Sequence, residues 1–345
     1  MRALRVIAVV AVLAALAAFL AARWVEHFMN SAMPISIAAT FEVRKGSTLG
    51  SVARELQARG ALTHPWVWVW SARRQGVARS IHAGEYRLEP GMTPRELLDK
   101  LVSGAVLLRE LTVVEGSTFR DLLRALDAHP SVGHTLTGLD AEAIMARIGA
   151  PGVHPEGQFF PDTYRFAAGT SDVEILRQAH EQLRRRLAAA WQARDASVPL
   201  ANEYEALILA SIVEKESALP VERARIAGVF VRRLRTGMRL QTDPTVIYGL
   251  GESYDGNIRR RDLQADSAYN TYTRRGLPPT PIALPGEGAI QAATRPDDSG
   301  ALFFVATGEP DGSHYFSATL EEHNAAVRRF LARMRTRGAR APAGS

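Results

Sequence analysis

Glu214, Lys215 and Glu216 close a run, residues 207–213, that is apolar nearly all round. Such a run marks a helix buried in a larger core. Ending it on two carboxylates is unusual, because an isolated carboxylate avoids dry surroundings unless it is paired or used. The two acids lie about 200° apart around a helix, so they cannot share one task. Glu216 follows Ile212 and Val213 by four and three residues and stacks on the apolar side, whereas Glu214 turns away. An apolar setting raises a carboxyl pKa. A general acid acting on a glycosidic oxygen works near roughly 6–7 rather than the reference of about 4.3, and Glu216 is the better placed of the two for that task. An ordinary helix-end charge cluster, with Lys215 as a solvated partner, would use the same three residues.

The elements that hold this triplet can be read from spacing. Asn202 and Glu205 have capping-box spacing, so the helix starts there. A second helix is expected over residues 220–236, stopped by Gly237. Ala227, Phe230, Val231 and Leu234 form its buried stripe, and Arg223, Arg225, Arg232, Arg233 and Arg235 line the rest. Asp243 then caps a third helix whose first turn takes Pro244. A polar Gln241-Thr242-Asp243 corner thus sits one helix hairpin away from Glu216.

Residues 211–217 read SIVEKES, and they are followed by RLRTGMRLQTDPTVIYGLG, AYNTYTRRGLPPTPIALPG and a closing HNAAVRRFL helix. Together these resemble the endolytic murein (peptidoglycan) transglycosylase family, the MltG/YceG-like proteins, over nearly the whole chain. The resemblance implies an enzyme that cuts the MurNAc-GlcNAc bond within glycan strands without water, leaves 1,6-anhydro-MurNAc ends and so limits strand length. It places the acid on Glu216, in agreement with the helix phase. It also implies that Glu156 and Asp162 lie beside a glycan cleft, that peptidoglycan is the substrate and that peptidoglycan synthases are partners. One such acid suffices: it protonates the leaving oxygen, then deprotonates the sugar's own 6-hydroxyl as that group attacks the anomeric carbon. Gln241, Asp243 and Asn270 would orient sugar groups.

The chain has 345 residues, no cysteine and a net charge of +6. A disulfide framework and a cysteine nucleophile are excluded, and the basic balance suits an anionic polymer. Scattered aromatics and the lack of a recognisable module argue against nucleic acid. Nine dispersed histidines show no ligand spacing and no convincing phosphate loop is seen, so neither metal nor cofactor is expected. Residues 6–22 are uncharged and follow Arg2 and Arg5. They read as a transmembrane helix with residues 1–5 in the cytoplasm, or as a signal peptide. The resemblance favours the anchor, in the inner membrane with the remainder periplasmic.

The expected class is α+β: one transmembrane helix, a linker at 23–38, a small LysM-like α/β module at 39–108, a mainly helical catalytic domain with short strands at 109–337 and a disordered tail at 338–345. The module rests on a weak repeat of strand, glycine turn, hydroxyl cap and helix beginning at Phe41, Tyr86 and Leu111. Trp66, Trp68 and Trp70 fit a strand or a helix. Residues 154–164 read as an ordered loop leading into a strand. A second loop, residues 269–281, carries Asn270 and Tyr272 beside three prolines, stiff enough to hold an amide and a phenol against a sugar. Two other classes compete: a non-catalytic cell-wall-binding scaffold, and an aminodeoxychorismate-lyase-like pyridoxal enzyme with Lys215 as the imine residue.

Overall fold

The computed structural model describes residues 2–217 and 219–338; of the expected tail, residues 339–345 lie outside them. The chain divides into two units. One holds the residues through Arg109 together with Arg165–Thr170; the other holds Glu110–Tyr164 and the described residues from Ser171 on. A short later segment, 165–170, thus belongs to the first unit together with the residues through Arg109.

In the first unit the apolar run lies in one helix, α1 (Arg2–Asn30), whose most hydrophobic window has no buried residue. The helix does not stop where the apolar run stops. Residues 23–30, expected to open a linker, continue it: Met29 and then Met33 are buried in this unit's core, and Glu26 pairs with Arg95 at 2.8 Å. The reason is burial of two methionines, which a spacer would leave in water. Next come β1 (Ala39–Val43), α2 (Leu49–Ala58), α3 (Pro65–Arg74), β2 (Gly84–Leu88) and α4 (Pro94–Ser103). The strands pair antiparallel with Phe41 opposite Tyr86, both fully buried, which gives a βααβ order. The three tryptophans ride on α3. Trp68 is buried and its indole donates to the Pro94 carbonyl at 2.8 Å, while Trp66 and Trp70 face out.

The strands β3 (Leu108–Thr112) and β4 (Thr163–Ala167) form a second small sheet, with α5 (Phe119–Asp127) and α6 (Ala141–Ile148) between them in sequence. The weak repeat proves to be a repeat of helix starts. Gly46, Gly91 and Gly116 all take positive φ, and Thr48, Thr93 and Thr118 each cap a helix reciprocally with Ser51, Glu96 and Asp121.

The second unit is built around α8 (Glu203–Glu216), preceded by α7 (Asp172–Gln192). After α8 come a 3-10 turn (Pro220–Glu222), α9 (Arg223–Arg235), α10 (Asp243–Leu250), α11 (Arg260–Gln264), α12 (Glu287–Thr294), the hairpin β5 (Phe303–Ala306) and β6 (His314–Ser317), and α13 (Leu320–Gly338). Asn202 accepts from the Glu205 amide, so α8 starts where expected. From Ala206 to Val213 every residue of α8 is buried, enclosed by α7, α9, α10 and α12. An alanine at Ile212 would cost about 2–5 kcal/mol.

The sequence analysis does not place α12, whose start carries Gly286 and Gly288. Both are there for close approach. A Cβ on Gly286 would lie 1.9 Å from a Glu115 carboxylate oxygen, and one on Gly288 would lie 2.6 Å from the Arg223 guanidinium.

Candidate active site

The triplet stands at the C-terminal end of α8. Ser217 is extended and its hydroxyl accepts from the Leu219 amide, and Pro220 forbids continuation. A helix C-terminus carries partial negative charge, so it opposes a second negative charge beside it.

The two glutamates meet different surroundings. Glu214 is 5% exposed at its side chain. It accepts from Arg223 at 2.8 Å and from the Gly286 amide at 3.0 Å, and Arg223 also reaches Glu115 at 3.4 Å. Glu214 therefore does turn away from Glu216, but into an ion cluster rather than into water. Burial still holds its carboxyl above the ordinary range, with Arg223 pulling it back. Lys215 is exposed and its ammonium donates to the Gly116 carbonyl at 3.1 Å.

Glu216 is partly exposed and takes a hydrogen bond from the Thr242 hydroxyl. Burial pushes its carboxyl up; the Asp243 charge adds to this, while Thr242, His314 and Arg233 act against it. Arg233 was grouped with the outer-face arginines and is in fact buried. Its guanidinium donates to the Leu302 carbonyl at 2.8 Å and to the Leu240 carbonyl at 2.6 Å. It falls three residues after Phe230 and seven after Ile226, which is the buried phase of α9 and a signal the sequence did contain. His314 donates its backbone amide to Glu222 at 3.0 Å and sets its ring nitrogen 2.7 Å from the same carboxylate.

The polar corner is held by the second loop, residue by residue. The cap of α10 is Thr242 rather than Asp243, and its side chain points to Glu216 instead of capping. Thr271 fixes that corner: its hydroxyl accepts from the Thr242 amide at 3.1 Å and meets the Thr245 hydroxyl at 2.9 Å, and its carbonyl accepts from the Gln241 amide at 3.2 Å. Tyr272 donates its phenol to Asp243 at 2.6 Å; burial and that carboxylate push the phenol pKa upward. Asn270 is buried with its amide nitrogen on the carbonyls of Asp262, Leu263 and Ala265 and its oxygen on the Tyr272 amide. Its side chain holds the loop together, so it reaches the corner only through Thr271 and Tyr272. Gln241 is exposed, with φ of 51°, the one non-glycine residue at positive φ among the described residues. The buried Ser211 hydroxyl accepts from the Ile282 amide at 3.0 Å, which ties the proline segment to α8.

Glu156 is placed differently from the expectation of a cleft-facing acid. It is 5% exposed, and it accepts from the Phe119 amide at 3.0 Å and the Tyr248 hydroxyl at 3.2 Å. Burial pushes its carboxyl up to about 7. It anchors the far end of α10, the helix that begins beside Thr242. Asp162 is exposed and accepts from Thr163 and Gln182. No bond joins Asp162 to the Glu216 corner among the described residues. Sequence reasoning placed Thr242 in the polar corner and Arg233 on the second helix but gave no role at the site to either, nor to Thr271, Glu222 or His314.

A protein-family model described as the YceG-like family matches residues 41–329. The chain belongs to the YceG-like family. This YceG-like chain is 30% identical over 306 residues to a Bacillus subtilis protein named endolytic murein transglycosylase, covering 84% of each chain. It is 26% identical to a Streptococcus pneumoniae protein of the same name, covering 87% of this chain and 60% of that protein's length. A solved structure of a YceG-like protein from Listeria monocytogenes is 28% identical, with 84% of this chain and 98% of that chain covered and a TM-score of 0.47.

Proposed function

We propose that this YceG-like chain is an endolytic murein transglycosylase in which Glu216 carries both proton transfers. The observation that carries the reading is the state of Glu216: raised by burial at the end of a buried helix, bonded by one hydroxyl and partly open to a ligand. Protonated, it gives its proton to the glycosidic oxygen as the bond to the anomeric carbon breaks. As carboxylate, it takes the proton of the same sugar's 6-hydroxyl as that oxygen bonds the anomeric carbon. The product is a 1,6-anhydro end, and Glu216 is protonated again. Asp243 and Tyr272 act as a linked pair that orients sugar hydroxyls and faces the developing positive charge. Gln241 presents its amide from a fixed turn. Asn270 and Glu156 act as positioning residues through the second loop and α10. Asp162 borders the glycan further along.

The finer reading places residues 6–22 across the inner membrane, with residues 1–5 cytoplasmic, the catalytic domain at 109–337 in the periplasm, a LysM-like module at 39–108 that holds or positions glycan, and peptidoglycan synthases as partners. The wholly exposed apolar window of α1 and the βααβ order support the anchor and the module.

A second reading, hydrolysis with Asp243 as the second carboxylate, is favoured by one observation: its charge acts on Glu216. Mass spectrometry of muropeptides released from purified glycan strands decides. Anhydro ends that vanish in Glu216→Gln support the lytic reading; free reducing ends overturn it in favour of the hydrolase.

A further inference from the structure

We infer that the first unit lies against the bilayer surface through α3, whose exposed tryptophans and arginines seat among anionic phospholipid headgroups. This rests on the proposed reading of α1 as a membrane anchor. Residues 6–22 rise about 25 Å as a helix, close to the thickness of a hydrocarbon core of about 30 Å. Arg23 and Trp24 therefore come out at headgroup level. At that level α1 is already joined to the folded unit. The Trp24 ring stacks on Trp66 at 6.1 Å and lies 5.2 Å from the His64 ring, and Phe28 meets His64 at 5.4 Å. Trp66 is thereby fixed at the same level, and Trp70 follows it one turn along α3.

These side chains are not core. Trp24, Trp66 and Trp70 are 42%, 66% and 47% exposed. Between α2 and α3 an open cavity of about 340 Å³ is lined by Trp66, Trp70, Arg54 and Arg73 among others, and the Arg74 guanidinium lies 5.5 Å from the Trp70 ring centre. Among the described residues none of Arg23, Arg54, Arg73 and Arg74 is in an ion pair, whereas Glu26 and Glu55 are taken by Arg95 and Arg59. Indole at the boundary of apolar and polar phases, flanked by cations, matches the interfacial region of an anionic leaflet. The continuity of α1 with the patch, and its charge, choose lipid over other occupants.

The chain has no cysteine, so a fluorophore can be placed on a single introduced one. Full-length Trp70→Cys and Val12→Cys, each labelled with an environment-sensitive dye, are reconstituted in vesicles of phosphatidylcholine and phosphatidylglycerol. Some vesicles carry nitroxide in the headgroup region and others deep in the chains. The expected result is quenching at 70 by shallow nitroxide with a blue shift, quenching at 12 by deep nitroxide, and loss of the signal at 70 but not at 12 when Trp66→Ala is added. Quenching at 12 without quenching at 70 overturns the surface contact and leaves the anchor intact. Quenching at neither overturns the anchor and this inference with it. A label at 70 that answers soluble glycan strands in detergent and ignores vesicles overturns it in favour of a sugar cleft.

Discussion

The two sides of the α8 terminus differ in how a buried carboxylate is answered. On one side Glu214 has a guanidinium at 2.8 Å and a backbone amide at 3.0 Å, with Gly288 leaving room for that guanidinium. Its charge is cancelled in place and its oxygens are occupied. On the other side Glu216 has one hydroxyl, while Arg233 directs two of its bonds to carbonyls instead. Both carboxyls are raised by burial. Desolvation therefore does not distinguish the two. What separates them is that one is paired and the other is left able to exchange a proton with a ligand.

The sharpest way to break this contrast is to swap the two losses. Glu216→Gln keeps shape and loses the proton, so release of anhydro ends should drop roughly 10²–10⁴-fold with an unchanged melting temperature. Glu214→Gln should keep most of the activity. The contrast fails if the two variants behave the other way round.

A smaller effect is expected from the paired side. Arg223→Ala strands Glu214 beside Gly286, in a pair whose side chains are 13% and 5% exposed. Unfolding free energy should fall by about 3 kcal/mol, read by denaturant titration, and adding Glu214→Gln should restore part of it.

The open side can be tuned in both directions. Glu216 must be protonated to act as an acid, so the rate falls as pH rises through its pKa. Asp243 pushes that pKa up and Thr242 pulls it down. In the pH profile of kcat/KM, Asp243→Asn should therefore move the alkaline limb to lower pH and Thr242→Val should move it to higher pH. Shifts of the same sign would contradict the arrangement.

An effect on stability of similar size, spread over a pH range, concerns a third buried acid, Glu156, raised from 4.5 to about 7. Between those values the folded chain keeps a proton that the unfolded chain releases, so stability falls as pH rises and levels off above about 7. The total is on the order of 3 kcal/mol. Melting temperatures across this range should fall in the wild type and stay flatter in Glu156→Gln.

Much of this was legible because it is local. The cap at Asn202, the all-round apolar phase of α8, the stop at Gly237 and the strand-turn-helix repeat each depend on residues within one or two turns. The different surroundings of Glu214 and Glu216 were legible from helix phase. Thr242 was not, because its aim is set by Thr271, twenty-nine positions on. Asn270 was legible as a fixed polar residue but not as a loop clamp, since its partners are backbone carbonyls that no side-chain pattern encodes. Arg233 was hidden by its charge, although its phase was buried. The linker after residue 22 was misjudged because two methionines, read as spacer, are core.

One feature of the corner bears on evolvability. Gln241 sits between two buried residues, Leu240 and Thr242, in a left-handed backbone conformation that costs about 1–3 kcal/mol for a side chain. Glycine would release that energy at once. A Gln241→Gly variant should fold at least as well, yet turn over more slowly, because the turn that aims Thr242 would sample more conformations. Laboratory selection for thermostability alone would then drift toward glycine here and erode turnover, whereas selection for turnover would hold the strained residue: a stability–activity trade-off written into a single dihedral angle.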